Sequence, residues 1–330
     1  MDTYFSKMMS LKIMFMAIFL VMALFIGRGI SKEVYPDRPI TVIVPFGAGG
    51  MTDVVTRAIC RAAEKELGQP ILVENKPGGS AVIGMNYVLK SKPDGYTLVS
   101  TTTSCYFMVP HTHGTPYNPI TDITDIAAIC KFQHGLAVRS DSRWNSYEDV
   151  IKYARENPEK FRYSCAGIGV TQHICLERIA IKEGIKWTSI PFKSGAESVT
   201  ACLGGHTDAV SEGPTDLLPH VRGGKLRLLL SLNDFRWPGA PNVPHMLEKG
   251  YDFYAWSFIS LLGPKGMPEP IRQKLEDSFN KAKKAPSFTE VMDQFKVEAS
   301  PMSGKEHGEF WRSRYDEMGR VIEALGLKRK

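Results

Sequence analysis

Ile40-Thr-Val-Ile-Val-Pro-Phe-Gly-Ala-Gly-Gly-Met-Thr-Asp53 is the stretch whose reading decides the fold. Five β-branched residues in a row suit an extended strand, and Pro45 with the glycines that follow ends it. From Thr52 the apolar residues Val54, Val55, Ala58, Ile59, Ala62 and Leu67 fall on one face of a helix that stops at Gly68. Strand, glycine turn and helix make the opening unit of an α/β fold. Outward from it the alternation continues. Ile71–Val73 and Tyr96–Ser100 read as strands around a helix over 81–90, closed by the turn Pro93-Asp94-Gly95.

A second series starts near residue 139. Ser146 and Asp149 form a capping-box-like start to a helix that ends at Asn157-Pro158. Strands are expected at 161–164, 188–191, 208–211 and 226–232. Helices are expected at 172–183, 196–203 and 215–221, the last two stopped by double glycines. Trp256–Leu262 is a further apolar run, and everything from Pro268 onward reads as helical. Two α/β lobes follow, joined by strand-like crossings with the final helices returning to the first lobe. Such a pair leaves a cleft between the lobes, where ligands commonly bind.

A chain of 330 residues has room for two such lobes, and 43% hydrophobic against 23% charged residues excludes disorder. The net charge of +6 is scattered, with no basic stripe interleaved with aromatics, so no nucleic-acid partner is expected. Lys7 and Lys12 precede an uninterrupted apolar run from Ile13 to Ile26, the order of a secretory signal. That run spans about 21 Å as a helix, short of the ~30 Å hydrocarbon core of a bilayer. We therefore expect residues 1–31 to be a signal peptide and the mature chain to be periplasmic. Cys60, Cys105, Cys130, Cys165, Cys175 and Cys202 show no C-x-x-C or zinc spacing. Most sit in apolar elements, where a free thiol behaves as a small hydrophobe, so neither a metal nor a disulfide framework is expected.

Three glycine-containing helix starts are candidate anion seats. The first, Phe46, Gly47, Ala48, Gly49, Gly50, Thr52 and Asp53, brings backbone N–H groups to a helix N-terminus without any cationic side chain. Thr52 stands where a dinucleotide motif needs glycine, and no Gly-Lys-Ser/Thr follows, so nucleotide binding is disfavoured. On its own the loop reads equally as a plain turn. Asp53 either stabilises the helix start electrostatically or orients the loop. The second seat runs over Gly169, Val170, Thr171 and His173, where a lone helical histidine is more often a packing residue than a ligand contact. The third is Ser194-Gly195, after the solvated Lys193. Thr102 and Ser104 end a strand and offer hydroxyls, or else form a polar edge. Glu212 and Asp216 follow the 208–211 strand. An acid facing the cleft there repels a second carboxylate and favours an amine or hydroxyl. No G-x-S-x-G elbow or H-E-x-x-H is present, and no cofactor is expected.

The segments Tyr35-Pro-Asp-Arg-Pro39, Val44-Pro-Phe-Gly-Ala-Gly-Gly-Met-Thr-Asp53, Val73-Glu-Asn-Lys-Pro-Gly-Gly79 and Lys92-Pro-Asp-Gly-Tyr-Thr97 form an ordered series. Gly167-x-Gly-x-x-x-His173, Ile190-Pro-Phe-Lys193, Leu203-Gly-Gly205 and Leu218-Pro-His220 extend it. Together, from about residue 34 to the C-terminus, the chain resembles the periplasmic solute-binding proteins of tripartite tricarboxylate transporters, the Bug-type receptors. The resemblance implies a two-lobe periplasmic-binding-protein clamshell (Venus flytrap), each lobe a mainly parallel sheet flanked by helices. It places lobe 1 at 32–133 plus 255–330 and lobe 2 at 134–254. It implies a monomer that pinches a di- or tricarboxylate, an amino acid or an aromatic acid through amides, hydroxyls and waters, and hands it to membrane permease subunits. A receptor presenting the acid to a sensor kinase, or an enzyme acting on a carboxylate, are the alternatives. Gly47 replaces the usual Pro, Val170 a usual Ser or Thr, and Ser194-Gly195 the commoner Gly-Ser. Glu212 stands where relatives often have Asp.

Overall fold

The computed structural model describes residues 35–328 together with Met16, so the signal-like segment lies, apart from Met16, outside the described residues. The unit that begins at Arg38 carries two β-sheets. In the first, β1 (Ile40–Val44), β2 (Ile71–Asn75), β3 (Thr97–Thr102), β4 (Ile123–Phe132), β10 (Ser257–Pro264) and β11 (Glu298–Ala299) lie in the order β11-β4-β10-β3-β1-β2. In the second, β5 (Gly135–Arg139), β6 (Arg162–Cys165), β7 (Thr188–Pro191), β8 (Ala209–Glu212) and β9 (Leu226–Ser231) lie in the order β7-β6-β8-β5-β9. The α/β, two-lobe architecture is as the sequence implies.

The sheets are mixed rather than mainly parallel. β1 pairs parallel with β2 and β3, and β6 with β7 and β8. The strands that carry the chain between lobes, β4 to β5 and β9 to β10, enter their sheets antiparallel. A strand that leaves one sheet for the other needs no crossover helix back to its neighbour, so nothing obliges it to run parallel. The buried side chain of Asn233 holds the two crossings together. Its Oδ1 accepts from the His134 amide at 2.9 Å and its Nδ2 donates to the Ala255 carbonyl at 2.6 Å.

The longer helices of the first lobe ahead of the crossings are α1 (Met51–Leu67) and α2 (Val82–Leu89), and those of the second are α3 (Tyr147–Glu156), α4 (Thr171–Glu183), α5 (Gly195–Leu203) and α6 (Pro214–Arg222). The capping box at Ser146 and Asp149 is formed in full. The C-terminal segment supplies α7 (Glu269–Ala282), α8 (Pro286–Phe295), α9 (Gly304–Arg312) and α10 (Tyr315–Ala324). It is not helical throughout as expected, because β11 pairs with β4 and breaks the run after Lys296 enters the left-handed region. α7 and α8 pack on α1, and α9 packs along β4, so this segment does return to the first sheet.

Val150, Ile151 and Ala154 of α3 and Leu176 and Ile179 of α4 form the second-lobe core with Trp144, Phe161, Tyr163 and Trp187. In the first lobe Ile43, Val44, Met85, Val88, Val99 and Phe107 pack with Trp311 and Ile322. All six cysteines are free and buried.

Gly84 sets how closely α2 approaches the start of the Pro45–Asp53 loop. A Cβ there would lie 2.7 Å from Pro45 Cβ and 2.8 Å from the Lys76 carbonyl oxygen. Helix propensity favours Ala over Gly by about 1 kcal/mol, whereas overpacking costs about 1–3 kcal/mol. Gly84→Ala is therefore expected to lower unfolding free energy in urea. A stabilised variant would show that the contact yields without cost.

Candidate functional site

Between the two sheets lies a narrow cavity of about 40 Å³, room for a few waters. It is lined from the first lobe by Phe46, Gly50, Met51, Thr52, Thr102 and Ser104. Ala166, Val170, Gln172, Ser194, Gly195, Glu212, Gly213 and Asp216 line it from the second, and Phe132, His134 and Ser257 from beside the crossings. The starts of α1, α4, α5 and α6 converge on it, so their positive dipole ends face one small volume.

Of the residues singled out from sequence, Phe46, Gly50, Thr52, Thr102, Ser104, Val170, Ser194, Gly195 and Glu212 line this cavity. The others lie behind it. Asp53 is 4% exposed and knits the first loop: its Oδ2 accepts from the Gly49 amide at 2.9 Å. Its Oδ1 accepts from Arg57 Nε at 3.0 Å and Asn75 Nδ2 at 2.9 Å. Burial alone would raise the Asp53 carboxyl, but these bonds hold it below the ordinary value. Asn75 Nδ2 also donates to the Phe46 carbonyl at 3.1 Å. Asp53 thus has the loop-orienting role. Gly47 donates its amide to the Lys193 carbonyl at 3.0 Å, a bond that joins the lobes, and Ala48 lines a separate surface depression beside α5.

His173 is a packing residue. Its Nδ1 accepts from the Gly169 amide at 3.3 Å, its ring lies near Tyr163, and burial lowers its pKa to about 4, so it is neutral. Gly169, with φ +77°, is where the second-lobe loop meets the first lobe. A Cβ on it would lie 2.4 Å from Thr112 Oγ1. Thr171 accepts from Ser257 Oγ at 2.9 Å, and that hydroxyl also meets His134 Nε2 at 2.8 Å. Burial drives His134 down to about 3 and leaves it uncharged.

The sequence reading did not include Phe132, His134 and Ser257, because they belong to the interlobe crossings and reach the cleft only through topology. Gln172 and Met51 are helix-start residues whose neighbours carried the motif. Asp216, noted with Glu212, has the central place. Its Oδ2 accepts from the Met51 amide at 3.2 Å across the lobes, and a Cβ on Gly195 would lie 2.6 Å from its carboxyl carbon. Asp216 therefore sits at the starts of α1, α5 and its own α6, a seat for an anion that the protein's own carboxyl fills. Gln172 Nε2 donates to Glu212 Oε2 at 3.3 Å. Burial pushes Asp216 up to about 7. Burial and the neighbouring Asp216 hold Glu212 well above the usual range.

One hydrolase-like set exists elsewhere. His307 Nε2 is 3.1 Å from both Ser260 Oγ and Tyr106 Oη, and its Nδ1 is 3.6 Å from Asp125 Oδ1. Ser260, His307 and Tyr106 are fully buried, and none of the four lines the cleft, so no substrate reaches the hydroxyl. The set ties α9 to the first sheet. Among the described residues no group of His, Cys, Asp and Glu could hold a metal ion, and no helix is long and apolar enough to cross a membrane.

With this geometry in view, residues 55–327 match the model of the tripartite tricarboxylate transporter family receptor. The chain belongs to that receptor family. A Cupriavidus necator protein described as "UPF0065 protein in gbd 5'region" is 35% identical over 297 residues, covering 90% of each chain. Among solved structures, the periplasmic binding protein BugD superposes with a TM-score of 0.85 at 26% identity, covering 90% of this chain and 100% of that one. The R. palustris protein Rpa4515 with adipate gives 0.83 at 26% identity, covering 88% of this chain and 98% of that one. Members of this receptor family bind solutes and are not enzymes, and this chain is a solute-binding receptor.

The buried acid pair gives a pH signature. An Asp216 carboxyl raised from about 3.8 to about 7 holds a proton in the folded state that the unfolded chain has released between those values. Its contribution to stability therefore falls as pH rises through that window. Asp216→Asn removes the effect, and its Oδ1 can still accept from Met51. The stability difference, variant minus wild type in urea titrations, should grow from pH 4 to pH 7. A difference that stays flat contradicts the assignment.

Proposed function

We propose that this receptor captures a small organic carboxylate between its lobes and delivers it to the membrane permease subunits of a tripartite tricarboxylate-type transporter. The observation that carries this reading is the cavity where helix starts and hydroxyls of both lobes converge with no lysine or arginine in its lining. Such a site holds a carboxylate by amide and hydroxyl donors, and the adipate bound to the R. palustris relative is in keeping with it. Gly50 and Thr52 of the first loop, Thr102 and Ser104, and Ser194 and Gly195 are the residues we assign to the acid's oxygens. Residues 32–133 with 255–330 form one moving body and 134–254 the other, hinged at the crossings that Asn233 ties.

A cavity this small admits a solute only when the lobes part. A ligand that touches both lobes then favours the closed arrangement by its differential affinity, and the closed surface is what a permease would recognise. Residues 1–31 serve export to the periplasm, where the receptor acts as a monomer. A library of mono-, di- and tricarboxylates and amino acids, screened by thermal shift and titration calorimetry, tests the reading. Binding stabilises by RT ln(1 + [L]/Kd), about 2.7 kcal/mol at a hundredfold excess over Kd. At least one acid should raise the melting temperature, and Ser104→Ala with Thr102→Val should reduce that rise. If no carboxylate stabilises the protein, the proposal fails.

A further inference from the structure

We propose that a second pocket, set directly behind the solute cavity at the seam of the two lobes, binds an aromatic monocarboxylate whose anionic end pairs with Arg178. This site is separate from the solute cavity and goes beyond the capture reading above.

The pocket holds about 300 Å³, against about 40 Å³ for the solute cavity. Small-molecule sites fall in the range of roughly 300–1,000 Å³. Chain segments that line the cavity run on into this pocket. Ser104 leads to Phe107 and Met108, Gln172 leads along α4 to Ile174 and Arg178, and Ser257 leads back through Trp256 to Phe253. The bond from Ser257 to Thr171 stands between the two spaces, since Ser257 lines the cavity and Thr171 the pocket. Met318 and Val321 of α10 add a further wall, so the lining comes from both lobes.

The chemistry is the reverse of the cavity's, because here the lining carries arginines. Arg178 is half-buried, with its guanidinium carbon 3.9 Å from the centroid of the Phe253 ring. That contact holds the group in place and uses none of its N–H donors. Among the described residues no ion pair or hydrogen bond engages Arg178, and the acids that face it, Asp252 and Glu317, act on it only through space. Asp252 pairs instead with Lys182 at 3.5 Å, and Glu317 stands exposed in the first turn of α10. Arg314 lines the pocket from the first lobe and donates from Nη1 to the Phe310 carbonyl at 2.9 Å.

These features select the ligand. A half-buried guanidinium with open donors suits a carboxylate, which it can grip with two parallel bonds. The rings of Phe107, Phe253 and Trp256, beside Met318 and Val321, suit a flat apolar body. A neutral arene would leave the Arg178 donors unused, and a short acid without a ring would leave the apolar wall wet. A second carboxylate would meet Asp252 and Glu317, so the ligand is a monoanion.

Titration calorimetry on the mature chain tests this with phenylbutanoate and naphthylacetate, each against its primary amide, and with acetate as the acid that lacks a ring. At least one aromatic acid should bind about tenfold or more tighter than its amide and than acetate. Arg178→Gln should weaken that acid by about tenfold, whereas the cavity variant Thr102→Val with Ser104→Ala should leave its affinity unchanged. A crystal soaked with bromophenylbutanoate gives the position without any variant, and the bromine should lie among Phe107, Trp256 and Val321. An amide that binds as tightly as its acid, an affinity that survives Arg178→Gln, or no binding by either aromatic acid overturns the inference. Loss of binding in the cavity variant, or bromine only in the solute cavity, also overturns it while leaving the receptor reading intact.

Discussion

The rest of the site depends on a single carboxyl group placed where three helices begin. Asp216 lies in the first turn of α6, against Gly195 at the start of α5, and accepts from the Met51 amide at the start of α1. Since α1 belongs to one lobe and α5 and α6 to the other, this hydrogen bond caps a helix start and joins the lobes at once. It also explains two local sequence choices. Gly195 has no room for a side chain because Asp216 packs on its Cα, and Gly50 approaches the Gly195 amide so closely that its own Cβ would lie 3.3 Å away. Filling a helix-start focus with an internal acid leaves the solute a cleft that is polar, small and short of positive charge.

The remaining architecture holds that arrangement in register. Asp53, Arg57 and Asn75 form a ring of charge-assisted bonds behind the first loop, so the backbone of the loop is fixed from its own lobe. Bonds between the lobes include Gly47 to Lys193, Met51 to Asp216, Ser257 to Thr171 and His134, and Arg222 to the Gln294 carbonyl. A handful of such bonds, each worth about 0.5–1.5 kcal/mol net, lets the lobes part and close without unfolding either one. Asn233 clamps the crossings, so the two lobes stay tethered there in the proposed motion.

The strand-turn-helix units were legible because their signals are local. β-branched runs, glycine stops and the Ser146 cap each act over a few residues, and the strands at 40–44, 162–165 and 188–191 follow them closely. The mixed direction of the sheets was not legible, since β4, β5, β9 and β10 take their direction from which lobe they leave. β11 escaped for a similar reason: two residues pair with β4 inside a segment of helical composition. At the cleft, residues adjacent to glycine motifs were found. His134 and Ser257 were not, because they sit 123 positions apart and meet only through the crossings. Asp53 and His173, whose roles the sequence left open between support and contact, make bonds that hold loops, Asp53 to Gly49 and His173 to Gly169.

The most direct measurement is a crystal structure of the receptor with its tightest-binding solute. The account predicts the solute between the two sheets, with carboxylate oxygens about 2.7–3.2 Å from amide and hydroxyl donors contributed by both lobes. It predicts no lysine or arginine in contact with those oxygens. A solute seated outside the interlobe cavity, or one whose carboxylate is held by an arginine, would contradict it.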